Sequence, residues 1–359
     1  MHPIKVIVAD DSALMRREIK NILESDPEIE VVAVGRNGED AVRLTQEHEP
    51  DVVALDINMP VMDGLTALQH IMMQAPRPVV MVSSLTQEGA LTTYEALELG
   101  AVDFVGKPGG TISREIGKIA DEIIYKIKAA AGSNKSRLGR FRPHRRDNKA
   151  AVRKRRKSSQ RGRADGKIVV IGQSTGGPNT IMDILPAFPE DFGAPVIIIQ
   201  HMPASFTPSF AQRLDKYCAF PFKEAARADV IVPGHGYLAP GDMHMALAPR
   251  GLGRSGALTR LSPEPLSTLH RPSVDVTMMS ALELYGGKNV IGVLLTGMGS
   301  DGASAMAAIR EAGGHTIAES EETCIVFGMP REAIARGGAE FVLPSYEIGE
   351  KIVELVQES

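Results

Sequence analysis

The 359 residues include only two cysteines, Cys218 and Cys324. They form neither a disulfide framework nor a metal-ligand spacing, so both read as reduced core residues. No apolar run approaches the ~20 residues a bilayer-crossing helix needs, which excludes a transmembrane helix. The strand pattern Ile4-Lys5-Val6-Ile7-Val8 begins at once, so no signal peptide is expected. His235, His244, His270 and His315 lack the spacing of metal ligands, and no internal repeat is visible. What is left is a cytoplasmic globular protein. Its 43% hydrophobic content suffices for real cores, and its length suggests two domains.

The net charge of −4 conceals an asymmetry. Residues 1–131 carry 12 Lys and Arg against 21 Asp and Glu, a net charge of −9. Residues 166–359 carry 14 against 21, or −7, while residues 132–165 carry 14 against 2, or +12. Two acidic globular parts therefore flank a basic tether rich in Arg, Lys and Ser. Nearly free of aliphatics, the tether cannot bury a core and reads as a flexible linker. Acidic protein surface and anionic lipid are its alternative contacts.

Residues 1–131 alternate short apolar runs near 4–9, 30–34, 52–56, 79–83 and 102–105 with amphipathic stretches between them and a last helix near 112–130. Five βα units predict a parallel sheet covered on both faces. Acidic residues gather at the strand ends: Asp10 and Asp11, then Asp56, followed by Asn58. Three converging carboxylates repel one another and call for a divalent cation, and hard oxygen ligands suit Mg²⁺. One carboxylate can then accept a phosphoryl group, with Lys107 offsetting charge and the Ser83 hydroxyl donating to it.

In the second half the apolar run Lys167–Ile171 enters Gly172-Gln173-Ser174-Thr175-Gly176-Gly177. A glycine-rich turn there presents a serine hydroxyl to the N–H groups of a helix start. On spacing alone, a phosphate-cradling loop and a nucleophile turn remain equal readings. Two further buried runs deliver His201, and Asp301 through Thr296-Gly297-Met298-Gly299-Ser300. Open α/β folds place their sites at the carboxyl edge of the sheet, so the three residues can converge there as nucleophile, base and orienter. Asp301 has a second reading as the N-cap of its own helix. Residues 220–262, punctuated by Gly and Pro, predict hairpins or edge strands. Helices are expected near 175–185, 207–217, 273–286, 301–312 and 347–357.

Two family resemblances sharpen this reading. Val8-Ala9-Asp10-Asp11-Ser12, Leu55-Asp56-Ile57-Asn58-Met59-Pro60, Met81-Val82-Ser83 and Phe104-Val105-Gly106-Lys107-Pro108 resemble the receiver domain of bacterial response regulators. The resemblance implies Asp56 as phosphoacceptor and Mg²⁺ held by Asp10, Asp11, Asp56 and the Asn58 carbonyl. It also implies a switch relayed by Ser83, Phe104 and Lys107. Residues 166–359 resemble the chemoreceptor protein-glutamate methylesterases. The matching segments are Ile171–Pro178, Gln200-His201-Met202-Pro203, Leu238–His244, His270-Arg271-Pro272-Ser273-Val274-Asp275 and Leu295–Gly302. That resemblance implies Ser174 as nucleophile, His201 as base and Asp301 as orienter, with Thr175 and Met298 supplying oxyanion N–H groups. Gln173 stands where some members carry a small residue.

The implied fold is α/β, with two doubly wound domains: a flavodoxin-like receiver (1–131) and a Rossmann-like, mostly parallel esterase domain (166–359), joined by the linker 132–165. The implied activity is phosphorylation-activated hydrolysis of glutamyl γ-methyl esters on chemoreceptor helices, with deamidation of receptor glutamines. A histidine kinase is the implied phosphodonor, the esterase reaction needs no cofactor, and the chain is expected to be a monomer. A DNA-binding regulator is the rival, but the second half lacks a helix-turn-helix pattern and is itself acidic. No nucleic-acid partner and no membrane insertion are expected.

Overall fold

The protein is described by a computed structural model covering residues 2–83, 87–107, 116–133, 166–251 and 256–358. The chain divides into two compact units, Met1–His144 and Arg145–Ser359. The expected basic linker lies, from residue 134 to residue 165, outside the described residues.

In the first unit, strands β1 (Ile4–Ala9), β2 (Ile29–Gly35), β3 (Val52–Asp56), β4 (Val79–Ser83) and β5 (Asp103–Gly106) alternate with helices α1 (Ala13–Glu24), α2 (Gly38–His48), α3 (Gly64–Gln74), α4 (Gln87–Glu98) and α5 (Ile116–Ala131). The strands form one parallel sheet in the order β2-β1-β3-β4-β5. Val6–Ala9, Val52–Leu55 and Val79–Val82 are buried throughout, as strands covered on both faces must be. Ser12, Asn37 and Asp63 cap α1, α2 and α3 by accepting N–H bonds from Met15, Asp40 and Thr66. At Gly64 a Cβ would stand 2.0 Å from the Asp56 carbonyl oxygen. Only glycine lets α3 start this close to the end of β3.

The second unit is built on a seven-stranded parallel sheet. Its strands are β6 (Ile168–Gln173), β7 (Val196–Gln200), β8 (Phe222–Glu224), β10 (Gly236–Leu238), β13 (Val290–Leu294), β14 (His315–Glu319) and β15 (Phe341–Leu343), in the order β15-β14-β13-β6-β7-β10-β8. Helices α6 (Gly177–Ile184), α7 (Thr207–Tyr217), α8 (Val274–Tyr285), α9 (Ala303–Glu311), α10 (Met329–Ala335) and α11 (Ser345–Gln357) accompany it. Strands β11 (His244–Pro249), β12 (Ala257–Ser262) and β9 (Val230–Ile231) form a separate antiparallel sheet in the order β11-β12-β9.

The reading of residues 220–262 as hairpins or edge strands thus holds for the β11–β12 hairpin and for β8, the edge strand of the main sheet, but not for β10, which lies inside that sheet and pairs in parallel on both sides. Gly236 makes this possible, because a Cβ there would meet the Phe222 ring at 2.1 Å. The chain leaves β6 toward β7 on one side and returns with β13 on the other. The carboxyl end of β6 is therefore a topological switch point, where such folds open a crevice.

Candidate active site and phosphorylation site

Ser174 follows β6 directly at that switch point. Its N–H donates to the Thr296 carbonyl (3.0 Å), and its carbonyl accepts the Gly177 N–H (2.9 Å). Gly176 adopts φ +83°, and a Cβ there would meet Ile325 Cβ at 2.6 Å, so the turn requires glycine twice over. His201 follows β7, with its N–H on the Gln173 carbonyl at 3.2 Å. The buried Gln200 amide donates to both the Ser174 and the His201 carbonyls, at 3.1 Å each. One side chain thus ties the two strand ends together.

His201 Nε2 lies 2.8 Å from Asp301 Oδ2. Asp301 does not cap its own helix, whose N-cap is Gly302. It instead meets the first turn of α8, accepting from Ser273 Oγ (2.8 Å), Val274 N (2.7 Å) and Asp275 N (3.0 Å). Burial alone would push this carboxyl up. The His201 bond and the N–H groups of Asp275 and Val274 outweigh burial and hold it far below the ordinary carboxylate range. Ionised Asp301 only accepts, so Nε2 carries a proton, and in the neutral imidazole the lone pair is on Nδ1. That Nδ1 is buried and has no hydrogen-bond partner among the described residues. The His270 ring stacks on His201 at 4.0 Å between centroids.

The Thr296–Ser300 loop passes against the serine. A Cβ at Gly297 would stand 2.7 Å from Ser174 Cβ and 2.3 Å from Met329 Sδ. Met298 is the next residue on this loop, and Thr175 is the first past Ser174, its carbonyl accepting Thr296 Oγ1 at 2.9 Å. The buried Glu319 carboxylate holds the Thr296 N–H at 2.8 Å. Ser273, Gln200, His270 and Glu319 carry no role on sequence grounds. Ser273 and His270 fall within the matched segment 270–275, and Gln200 within 200–203. Glu319 gives no signal, because its strand does not register as one.

Gln173 is fully buried, and neither atom of its side-chain amide has a hydrogen-bond partner among the described residues. An unpaired buried amide costs about 1–3 kcal/mol. Gln173→Met keeps the volume and removes the polar atoms. The urea midpoint of the second unit is expected to rise, and a lower midpoint would show that the amide is satisfied.

In the first unit Asp10, Asp11 and Asp56 offer carboxylate oxygens within 4.8 Å of one another. Asp10 and Asp56 are buried and Asp11 is exposed. Lys107 Nζ stands 2.8 Å from Asp10 Oδ2 and 2.7 Å from Asp56 Oδ2. Burial pushes the Asp56 carboxyl above its ordinary value; the Asp10 charge adds to this and Lys107 only partly offsets it. For Lys107, burial opposes the charge, but the two carboxylates prevail and raise its pKa. One ammonium cannot balance three carboxylates. The hard oxygen set, open toward solvent at Asp11, fits a divalent cation such as Mg²⁺. The Asn58 N–H points to Asp56 Oδ1 at 3.4 Å. Ser83 ends β4, and its side chain lies outside the described residues. Phe104 is buried edge-on to Tyr94 (6.2 Å between centroids), with Lys126 Nζ 4.8 Å from its ring centroid.

Residues 6–114 match the model of the response regulator receiver domain, and residues 169–352 that of the CheB methylesterase. A protein-glutamate methylesterase/protein-glutamine glutaminase of Caldanaerobacter subterraneus subsp. tengcongensis is 53% identical over 99% of this chain and 97% of its own. One of Carboxydothermus hydrogenoformans is 51% identical over 99% and 100%. The crystal structure of the Thermotoga maritima CheB methylesterase catalytic domain superposes with a TM-score of 0.50 and 44% identity, covering 53% of this chain and 98% of that domain. With a receiver domain ahead of a methylesterase domain and full-length relatives at this identity, the chain belongs to the protein-glutamate methylesterase/protein-glutamine glutaminase family.

Proposed function

We propose that the second unit hydrolyses glutamyl γ-methyl esters on chemoreceptor helices and deamidates glutamines there, through Ser174, His201 and Asp301. The observation that carries this reading is the His201–Asp301 bond, which commits Nε2 to the carboxylate and leaves Nδ1, without a partner among the described residues, for the Ser174 proton. His201 Nδ1 takes the Ser174 proton as Oγ attacks the ester carbonyl. The N–H groups of Thr175 and Met298 hold the oxyanion. His201 returns the proton to the leaving methoxide, or to the leaving amine when glutamine is the substrate. Water then cleaves the acyl-serine by the same proton route. Asp301 stabilises the imidazolium that forms in each half-reaction.

The first unit sets the rate in this reading. Asp56 accepts a phosphoryl group from a chemotaxis histidine kinase, with Lys107 neutralising its oxygens. Asp10, Asp11, Asp56 and the Asn58 carbonyl would hold Mg²⁺, which supplies charge stabilisation to phosphoryl transfer when bound. Ser83 and Phe104 relay the change.

Methanol release from methylated receptor membranes tests both halves. Acetyl phosphate with Mg²⁺ is expected to raise the rate for the wild type. Asp56→Asn should keep the basal rate and lose the increase. An increase that survives in Asp56→Asn would remove the phosphoacceptor assignment.

A further inference from the structure

Asp301 is held by the first turn of α8, and that turn is itself held by a buried histidine. His244, the first residue of β11, is 1% exposed. Its Nδ1 accepts the Ser273 N–H at 3.2 Å. Its Nε2 lies 3.1 Å from the Pro265 carbonyl oxygen and 3.0 Å from Thr268 Oγ1. A backbone N–H only donates and a carbonyl only accepts, so the tautomer follows: the proton sits on Nε2 and the lone pair on Nδ1.

Each nitrogen therefore grips a different arm of the site. Through Nδ1 the ring fixes Ser273, whose Oγ and the two N–H groups after it hold Asp301. Through Nε2 it fixes the turn at Pro265–Thr268, to which Thr268 Oγ1 adds a 3.1 Å bond to the same carbonyl. Two residues beyond Thr268, the His270 ring covers His201. We infer that His244 is a positioning residue of the esterase site, bridging the Asp301 cradle to the turn that carries His270, so that both partners of His201 keep one geometry. The inference rests on the esterase reading above. Burial pushes the His244 pKa down and Arg271 adds to this; the Pro265 carbonyl, Asp301 and Glu264 oppose without reversing it. A neutral ring is what the two bonds require, since a proton on Nδ1 would face the Ser273 N–H.

Two polar replacements separate the arms. Asn carries its amide oxygen at the same bond count from Cα as Nδ1, so His244→Asn can still accept from Ser273. Gln carries its amide nitrogen at the bond count of Nε2, so His244→Gln can reach Pro265 but offers Ser273 no acceptor at the Nδ1 position. Methanol release from methylated receptor membranes is measured with the full chain, alongside wild type and Ser174→Ala. His244→Gln is expected to lose kcat about 30-fold with KM within about twofold, inside the about 10²-fold cost of a 1 Å misplacement, while His244→Asn, which keeps Ser273 and gives up only the Pro265–Thr268 arm, loses about fivefold.

Thr268→Val, a half-buried change, gives an independent reading should the Gln variant fail to fold. It is expected to lower kcat about fivefold at unchanged KM, again as a misplacement cost. The inference is overturned if the Asn and Gln variants are equally impaired, or if Gln and Val variants both turn over like wild type. Absent wild-type turnover, or turnover that survives Ser174→Ala, would overturn the esterase reading itself, and it shows before any His244 variant is compared.

Discussion

Ser174→Ala is expected to lower kcat for methanol release about 10⁴-fold or more, leaving only what the oxyanion N–H groups and substrate binding supply. The change removes one atom, Oγ, and little else. The Ser174 N–H still donates to Thr296, its carbonyl still accepts from Gly177 and Gln200, and its Cβ still faces Gly297. The turn is therefore expected to keep its shape, and a thermal melt should leave the second unit's transition in place. His201 Nδ1 loses the hydroxyl it would deprotonate, so water must attack without a covalent intermediate. The acyl-enzyme trapped by rapid quench from wild type should be missing from the variant. Near-normal turnover by Ser174→Ala would remove the serine from its assigned role and return the Gly172–Gly177 turn to its other reading, a phosphate cradle.

The same turn shows how far local pattern reaches. Strands buried on both faces read as unbroken apolar runs, so β3 and β4 of the first unit and β6, β7 and β13 of the second are visible in the sequence with the residue that follows each one; β1, β2 and β5 show too, although the edge strand β2 is partly exposed. His315–Glu319 is not: it opens on a histidine, closes on a fully buried glutamate and has no apolar run. Met329–Ala335 and Phe341–Leu343 are too short for a period to show. Strand β10 is misplaced because its Gly and Pro punctuation reads as a hairpin or edge piece, and only the Phe222 ring explains the glycine. Asp301 carries a correct chemical hint in the wrong place. Its carboxylate does sit at a helix N-terminus, but that of α8, more than twenty residues upstream, rather than that of the helix it precedes. Such a pairing is a tertiary fact with no local trace. Gln200 is the same: that it ties Ser174 to His201 depends on β6 and β7 being neighbours.

Asp301→Asn is expected to cost about 10⁴-fold in kcat, comparable to the loss of the serine, although the residue never touches substrate. Four donors converge on the two carboxylate oxygens: His201 Nε2 and Val274 N at Oδ2, Ser273 Oγ and Asp275 N at Oδ1. An amide has one acceptor oxygen, so whichever way the substituted side chain turns, its NH₂ meets a backbone N–H. With the NH₂ toward His201 the imidazole must accept on Nε2, which moves its proton to Nδ1 and leaves it unable to take a proton from Ser174. With the NH₂ turned away, the tautomer survives but the negative charge that stabilises the imidazolium is gone. Both orientations impair the same step. The variant should also differ in how stability responds to acid. Asp301 has a folded-state pKa far below its unfolded value, so its contribution is complete above the unfolded carboxylate pKa of about 3.9 and is lost as pH falls toward the folded value. The amide of the variant has no such proton to take up. Urea midpoints of the second unit measured downward from pH 6 should therefore fall less steeply below pH 4 in the variant than in wild type. Parallel curves would mean that the α8 turn and His201 do not hold Asp301 as an anion, and its assigned part in fixing the His201 tautomer would fall with it.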